Sequence, residues 1–276
     1  KEYNIAIVGS GVYGSYTAKL LSLHDNLQIS IFEVGNERIK KDFDYGFSSN
    51  NLNEDYSGAN KGRFFGLGGT SSKWGGKILF FDKLSFKSKN IFLNQLINLN
   101  TKFSETVKKR IGLHAIRDSH KKNSNSNFRI EKGDWLFPFR KNLFKIFNIK
   151  NLKKCNVITN SKVIKLENEK DYTKVFYEKN KQLLNKNFDY VFLCAGAFES
   201  ARILVQSNFE NPKLNFSDHI GLKFAKSYGP LELLGLDFTY KFSRFSLSTL
   251  RISGEKNDRS FSGEQQFAFR NYAFKR

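Results

Sequence analysis

The residues whose types and spacing could do chemistry begin near the start of the chain, at Gly9-x-Gly11-x-x-Gly14. Glycines at this spacing permit a tight turn, let the backbone approach a pyrophosphate and let a helix pack closely on a strand. The helix N-terminus then faces the phosphate charge. Ser10 and Tyr13 lie inside the same turn. The run Asn4-Ile5-Ala6-Ile7-Val8 reads as the strand before it. Tyr16, Ala18, Leu20, Leu21 and Leu23 read as the apolar face of the helix after it. A second strand over residues 28–32 ends at Glu33, a carboxylate placed to accept hydrogen bonds from a ribose and to repel a 2′-phosphate. The unit is β-α-β, which requires parallel strands and a right-handed crossover. A bare glycine turn in any α/β sheet would reproduce the spacing, but not the strand, the helix and the acid together.

A second glycine-rich segment carries Gly66-Leu67-Gly68-Gly69-Thr70-Ser71-Ser72-Lys73-Trp74-Gly75-Gly76. Glycines let a backbone run close to a flat ring system, and N–H and hydroxyl groups can meet its polar edges or a phosphate. Surface loops rich in glycine seldom hold Trp and Phe as well. A third element, Asp189-Tyr190-Val191-Phe192-Leu193-Cys194-Ala195-Gly196-Ala197-Phe198-Glu199-Ser200-Ala201-Arg202, is an apolar strand, a small-residue turn and a helix.

These three elements, in this order, resemble the FAD-binding part of the glucose–methanol–choline (GMC) oxidoreductases. The resemblance spans residues 4–221. It implies an α/β fold: a Rossmann-like FAD-binding domain of parallel sheet and β-meander, plus a partial α+β substrate domain with antiparallel sheet. It also implies FAD as cofactor, held by Gly9, Ser10, Gly11, Tyr13, Gly14, Glu33, Gly68, Gly69, Thr70, Ser71, Trp74, Gly75, Gly76, Ala195 and Gly196. Val163 stands where the family's meander supplies backbone contacts to adenine. The activity implied is oxidation of an alcohol, polyol or sugar hydroxyl by hydride transfer to flavin N5. The Trp-containing glycine loop leans toward the sugar or polyol dehydrogenase branch. Asp218-His219 is similar to the family's Asp-His pair, and His219 reads as a structural hydrogen-bonding residue.

Four segments must position these groups. Residues 1–95 and 151–221 are read as two parts of the FAD domain, 96–150 as a substrate or cap segment, and 222–276 as the start of a substrate domain. Residues 35–62 read as polar loop, 86–112 as helices and 120–133 as an exposed loop, while 135–139 return to a buried or ligand-facing surface. Between 156 and 193 short β-runs are expected at Val157-Ile158, Val163-Ile164-Lys165-Leu166, Lys174-Val175-Phe176-Tyr177 and Tyr190-Val191-Phe192-Leu193. A helix follows through Ala201, Ile203, Leu204 and Val205, and alternation over 237–242 and 245–250 predicts antiparallel strands.

At 276 residues, 39% hydrophobic and 15% aromatic, the chain can build a sizeable core and is not of disordered composition. The net charge of +20 is spread through the sequence rather than blocked, so solvated lysine explains it better than nucleic-acid binding. No apolar run approaches a membrane span, and no secretory signal precedes the first strand. Cys155 and Cys194 lack a partner motif, Cys194 reading as a small core hydrophobe, and the four histidines show no ligand spacing. A soluble, cytoplasmic protein with no metal site is expected, acting on a small-molecule alcohol or sugar. Methionine is absent, and nothing matches the family's C-terminal catalytic histidine. The sequence therefore reads as an N-terminal fragment without an identifiable catalytic base, completed by a missing C-terminal segment or a second chain. An NAD-dependent Rossmann reductase and a truncated nucleotide-binding remnant or subunit remain open alternatives.

Overall fold

The computed structural model describes residues 1–47, 62–78, 91–113, 128–209, 241–243, 246–256 and 259–264. The Asp218-His219 pair, the strand expectation over 237–240 and the loop expectation over 120–127 lie outside the described residues. Two compact units divide the chain: Lys1–Trp74 with Phe139–Ile220, and Gly75–Pro138 with Gly221–Arg276. These divisions fall at other points than the expected 95 and 150.

In the first unit, β1 (Tyr3–Val8), β2 (Leu27–Phe32), β5 (Cys155–Ile158) and β9 (Tyr190–Leu193) form a parallel sheet in the order β5-β2-β1-β9. Helix α1 (Val12–Leu21) makes the crossover between β1 and β2. Parallel strands covered on both faces are apolar almost throughout, and Ile5, Ala6, Ile7 and Val8 are all buried, as are Ile29, Ile31 and Phe32, with Ser30 the buried polar exception. Leu23 lies beyond the end of α1 and is 64% exposed, because the helix stops at Leu21.

A second, antiparallel sheet follows, made of β6 (Ser161–Asn168), β7 (Thr173–Lys179) and β8 (Gln182–Phe188) in sequence order. Val157 and Ile158 thus belong to the parallel sheet, not to this meander. Strand β8 carries no sequence signal, because every residue from Gln182 to Asn187 is exposed and only Phe188 is buried. A two-residue turn at Asn180 and Lys181, both at positive φ (52° and 62°), joins it to β7. That pairing of positive φ values matches the right-handed twist of a hairpin.

The core lies among the two sheets and helix α4 (Ala197–Gln206). Ala6, Val8, Phe32, Val163, Leu166, Val175, Phe188 and Ile203 pack as one cluster. Phe32 sits at its centre, edge-on to Phe188 at 5.7 Å and tilted against Tyr177 at 4.9 Å. Each such aromatic pair contributes about 0.5–1.5 kcal/mol beyond its burial. A short helix, α3 (Leu143–Ile146), starts from Asn142, whose side-chain oxygen accepts from the Lys145 N–H.

The second unit holds β3 (Lys77–Ile78), α2 (Ile91–Ile111), β4 (Phe128–Leu136), β10 (Lys241–Ser243), β11 (Ser246–Lys256) and β12 (Arg259–Glu264). Its sheet runs β10-β11-β4-β3 with β12 also on β11, every pair antiparallel. Residues 128–133, expected in a loop, are strand. Their charges hid the pattern, but the register with β11 runs unbroken from Phe128 to Leu136. Within the described part of 86–112 there is one helix, not several. In the 135–139 stretch Leu136 is buried, whereas Phe139 is 77% exposed.

Candidate functional site

Beside β1 the chain order reverses: β2 and β5 lie on one side, β9 on the other. In open α/β sheets the crevice at such a switch point, beyond the carboxyl ends of the strands, is where ligands bind. Gly9 and Ala195, the residues just past β1 and β9, meet there. Gly9 has φ +97°, and a Cβ on it would stand 2.6 Å from the Cys194 carbonyl oxygen and 2.9 Å from the Ala195 Cα. Only glycine permits that approach.

Two helices open at this crevice. Gly11 is the N-cap of α1 and Gly196 the N-cap of α4, and neither has a side chain to cap the first-turn N–H groups. A Cβ built on Gly11 or on Gly196 would meet nothing within 4 Å. The first turn of α1 contains no acidic residue. Uncapped amides with the positive end of a helix dipole and open space above them suit a phosphate group.

The second glycine segment is folded against the first. The Cβ position of Gly69 lies 3.2 Å from the Gly11 Cα, and Gly69 and Ser71 are buried in a short 3-10 turn over Gly69–Ser72. Its hydroxyls mostly serve the turn itself. Ser71 Oγ donates to the Gly68 carbonyl, Ser72 Oγ to the Gly69 carbonyl, and Thr70 Oγ1 accepts from the Phe64 N–H. Trp74 is engaged reciprocally with Lys141: the indole N–H donates to the Lys141 carbonyl at 3.2 Å, and Lys141 Nζ to the Trp74 carbonyl at 3.0 Å. Asn142 donates to the Leu67 carbonyl at 2.8 Å. Lys141 and Asn142 therefore clasp this segment. Sequence reading missed them, since neither carries a local signal.

Glu33 is already engaged within the chain. It is 4% exposed and its carboxylate already accepts four hydrogen bonds from the chain. Oε2 takes the Ser10 N–H at 3.0 Å and the Ser10 hydroxyl at 2.7 Å; Oε1 takes the Gly35 N–H at 3.0 Å and the Gly66 N–H at 3.1 Å. Ser10 Oγ also accepts from the Gly68 N–H at 3.1 Å. Glu33 and Ser10 thus tie the first glycine turn to the second. Nearby, burial pushes the Tyr45 phenol above its ordinary value, reinforced by the Glu33 and Asp44 carboxylates.

Of the other expected residues, Gly14 packs under the turn, and its Cβ position falls 1.9 Å from the Gly9 carbonyl oxygen. Tyr13 projects outward at 77% exposure. Val163 is buried at a bulge of β6, where Ile164 has no opposite number on β7. Gly75 and Gly76 belong to the second unit, where the Gly76 carbonyl accepts from the Leu136 N–H. Cys194 is part-buried rather than core; burial raises its thiol pKa, and a hydrogen bond with Thr17 partly offsets that. Among the described residues no cluster of three His, Cys, Asp or Glu side chains could hold a metal ion, and no helix is long and apolar enough to cross a membrane.

No family model and no curated protein matches the sequence. Solved structures do match. Pyridoxine 4-oxidase from Mesorbium loti aligns with 75% of this chain and 52% of its own, at 17% identity and a TM-score of 0.51. A formate oxidase variant from Aspergillus oryzae RIB40, described for its FAD modification, aligns over 76% and 48% at 18% identity and a TM-score of 0.48. A fungal aryl-alcohol oxidase aligns over 75% and 48% at 14% identity and 0.42. The last two are too distant to weigh. The chain spans about half the length of these proteins, and its likeness to pyridoxine 4-oxidase is one of fold.

Proposed function

We propose that this chain is the cofactor-binding portion of an FAD-dependent oxidoreductase of GMC type, acting on an alcohol, polyol or sugar hydroxyl. One observation carries the reading. Two uncapped helix N-termini, at Gly11 and Gly196, open at the switch point between β1 and β9, with the second glycine segment packed beside Gly11. The open positions above Gly11 and Gly196 suit the pyrophosphate of a dinucleotide. The oxidase named for the similar fold, pyridoxine 4-oxidase, agrees with this class of reaction.

When bound, FAD supplies the hydride acceptor for an alcohol carbon. The chain's own contribution is binding and orientation. The first-turn amides of α1 hold the phosphates against their charge. Glu33 and Ser10 set the relative position of the two glycine segments, and the Lys141-Asn142 clasp holds the second segment from behind. Hydride transfer also needs a base for the hydroxyl proton; none is assigned among the described residues. The domain assignment (FAD-binding 1–95 and 151–221, substrate-binding 96–150 and 222–276) belongs to this same proposal, with Lys141 and Asn142 of the 96–150 segment reaching the FAD-binding one.

The test is the visible spectrum of the purified chain after incubation with FAD and gel filtration. Flavin bands that co-elute with folded protein support the reading. Folded protein that emerges colourless, and shifts its melting temperature with NADH but not with FAD, refutes it in favour of a nicotinamide-dependent reductase.

A further inference from the structure

Helix α2 (Ile91–Ile111) carries two apolar stripes, and only one of them is covered. Residues spaced four and three apart share a face of a helix. Leu93, Ile97, Asn100, Ser104, Val107 and Ile111 follow that spacing, and all are buried or part-buried, Ile97 and Ile111 at 3% exposure. One position back, the same spacing sets Phe92, Leu96, Leu99 and Phe103 in line, and each of these is at least 40% exposed. Exposed apolar residues scattered singly are ordinary; a line of four over about 16 Å is not.

The charges of the helix fall beside this line. Lys102, Lys109 and Arg110 are exposed, and Arg110 continues the line two turns beyond Phe103. The single acid of the helix, Glu105, is paired with Lys108 at 2.8 Å. Lys102 Nζ stands over the Phe103 ring at 5.4 Å, so a cation and an apolar ring share one place on the surface. The helix is already formed and fixed through Ile97 and Ile111, so presenting this face costs little further ordering.

An exposed Phe and Leu line beside exposed cations has the chemistry of a helix that lies in the plane of an anionic lipid surface. Charge decides between the possible occupants. A second copy of the chain would bring another net charge of +20 against the same cations, and like charges oppose that pairing. An anionic bilayer answers the cations with its headgroups and takes the four apolar side chains at the edge of its hydrocarbon.

We propose that α2 is a peripheral membrane-binding element. It lays Phe92, Leu96, Leu99 and Phe103 into the boundary between headgroups and acyl chains, with Lys102, Lys109 and Arg110 at the lipid phosphates. This is attachment to one leaflet: among the described residues no helix is long and apolar enough to cross. Attachment of this kind does not depend on FAD binding.

The experiment is co-sedimentation of the 276-residue chain with phosphatidylcholine vesicles, with and without about 30% phosphatidylserine, at about 0.1 M salt. The native chain pellets with the anionic vesicles, stays in solution with the neutral ones, and is released at about 0.5 M salt. K102Q/K109Q lowers the partition coefficient roughly 25-fold, about fivefold for each lost cation. F92S/F103S, folded by circular dichroism, lowers it at least about tenfold. A native chain that ignores anionic vesicles overturns the proposal, as does one that binds neutral vesicles equally. Folded F92S/F103S that pellets like the native chain also overturns it, because another surface then carries the binding. If F92S/F103S does not fold, K102Q/K109Q decides, since it changes exposed charges alone, and its unchanged binding overturns the proposal. A dimer seen by sedimentation velocity and abolished in F92S/F103S, without vesicle binding, overturns it in favour of a second copy.

Discussion

Substituting Glu33→Gln tests whether this carboxylate ties the two glycine segments together. The amide keeps the shape and removes one acceptor. Its oxygen can stay with the Gly35 and Gly66 N–H groups, now at 3.0 and 3.1 Å from Oε1. The NH2 then faces Ser10. The Ser10 hydroxyl can rotate to accept from it, but the Ser10 N–H, now 3.0 Å from Oε2, is left without an acceptor. A buried orphaned N–H costs about 1–3 kcal/mol, and each remaining bond weakens from the charged to the neutral range by up to about 1 kcal/mol. The sum is about 4 kcal/mol, a large part of the roughly 5–15 kcal/mol that holds a domain folded. At about 2–4 °C per kcal/mol, the melting temperature drops by roughly 8–16 °C. Thermal unfolding followed by circular dichroism, without ligand, measures it. A variant melting within about 2 °C of the native chain, yet binding FAD more weakly, refutes the tie and returns Glu33 to a purely ribose-binding role.

Two further substitution or labelling experiments probe the surroundings. Gly68→Ala places a Cβ 2.1 Å from Asn142 Oδ1 at a residue with φ +96°; it should cost about 2–4 kcal/mol. In an Asn142→Ala background the cost should shrink by at least about 1 kcal/mol, and urea unfolding of the four chains of the cycle checks that coupling. Burial pushes the Cys155 thiol up to about 11. Its iodoacetamide labelling, read by peptide mass spectrometry, should be roughly a hundredfold slower at pH 8 than that of a free thiol and quicken about tenfold per pH unit toward pH 11. Because the folded form prefers the neutral thiol, Cys155 contributes stability at neutral pH that is lost as pH rises from the ordinary thiol range through about 11.

The parallel sheet was legible because β1 and β2 are buried on both faces, so Ile5–Val8 reads as a continuous apolar run and Ile29–Phe32 as one interrupted only by the buried Ser30. The glycine turn was legible because Gly9 and Gly14 answer steric demands within six residues of each other. Strand β8 was not, since a strand exposed at six of seven positions has no alternation to detect. Nor was β4 before Gly133, where Arg129, Glu131 and Lys132 look like loop composition. The clasp of Lys141 and Asn142 escaped for a different reason, as did the ionic group in which the buried Glu199 pairs with Arg63 at 2.9 Å and Arg202 at 2.7 Å. Lys141 and Asn142 lie 67 and 75 residues from their partners and Arg63 lies 136 from Glu199, and a charged residue destined for a buried pair looks in sequence like one destined for solvent.

Glu33 shows how a placement legible in sequence leaves the residue's bonding unread. The spacing puts a carboxylate at the end of β2, and it stands there. What the spacing does not contain is Gly66, 33 residues on, whose N–H occupies Oε1. A carboxylate oxygen has two strong acceptor directions, and both oxygens of Glu33 already fill theirs. A ribose can reach this group only by displacing the N–H of Gly35, Gly66 or Ser10, or the Ser10 hydroxyl, which can turn to the Gly66 carbonyl at 3.3 Å. Displacing Gly66 moves the second glycine segment, and displacing Ser10 loosens the first. Ligand binding through Glu33 and the arrangement of the two glycine segments are therefore one coupled equilibrium. A dinucleotide that recruits Glu33 must recover, in its own hydrogen bonds, the roughly 1–3 kcal/mol of each bond it displaces.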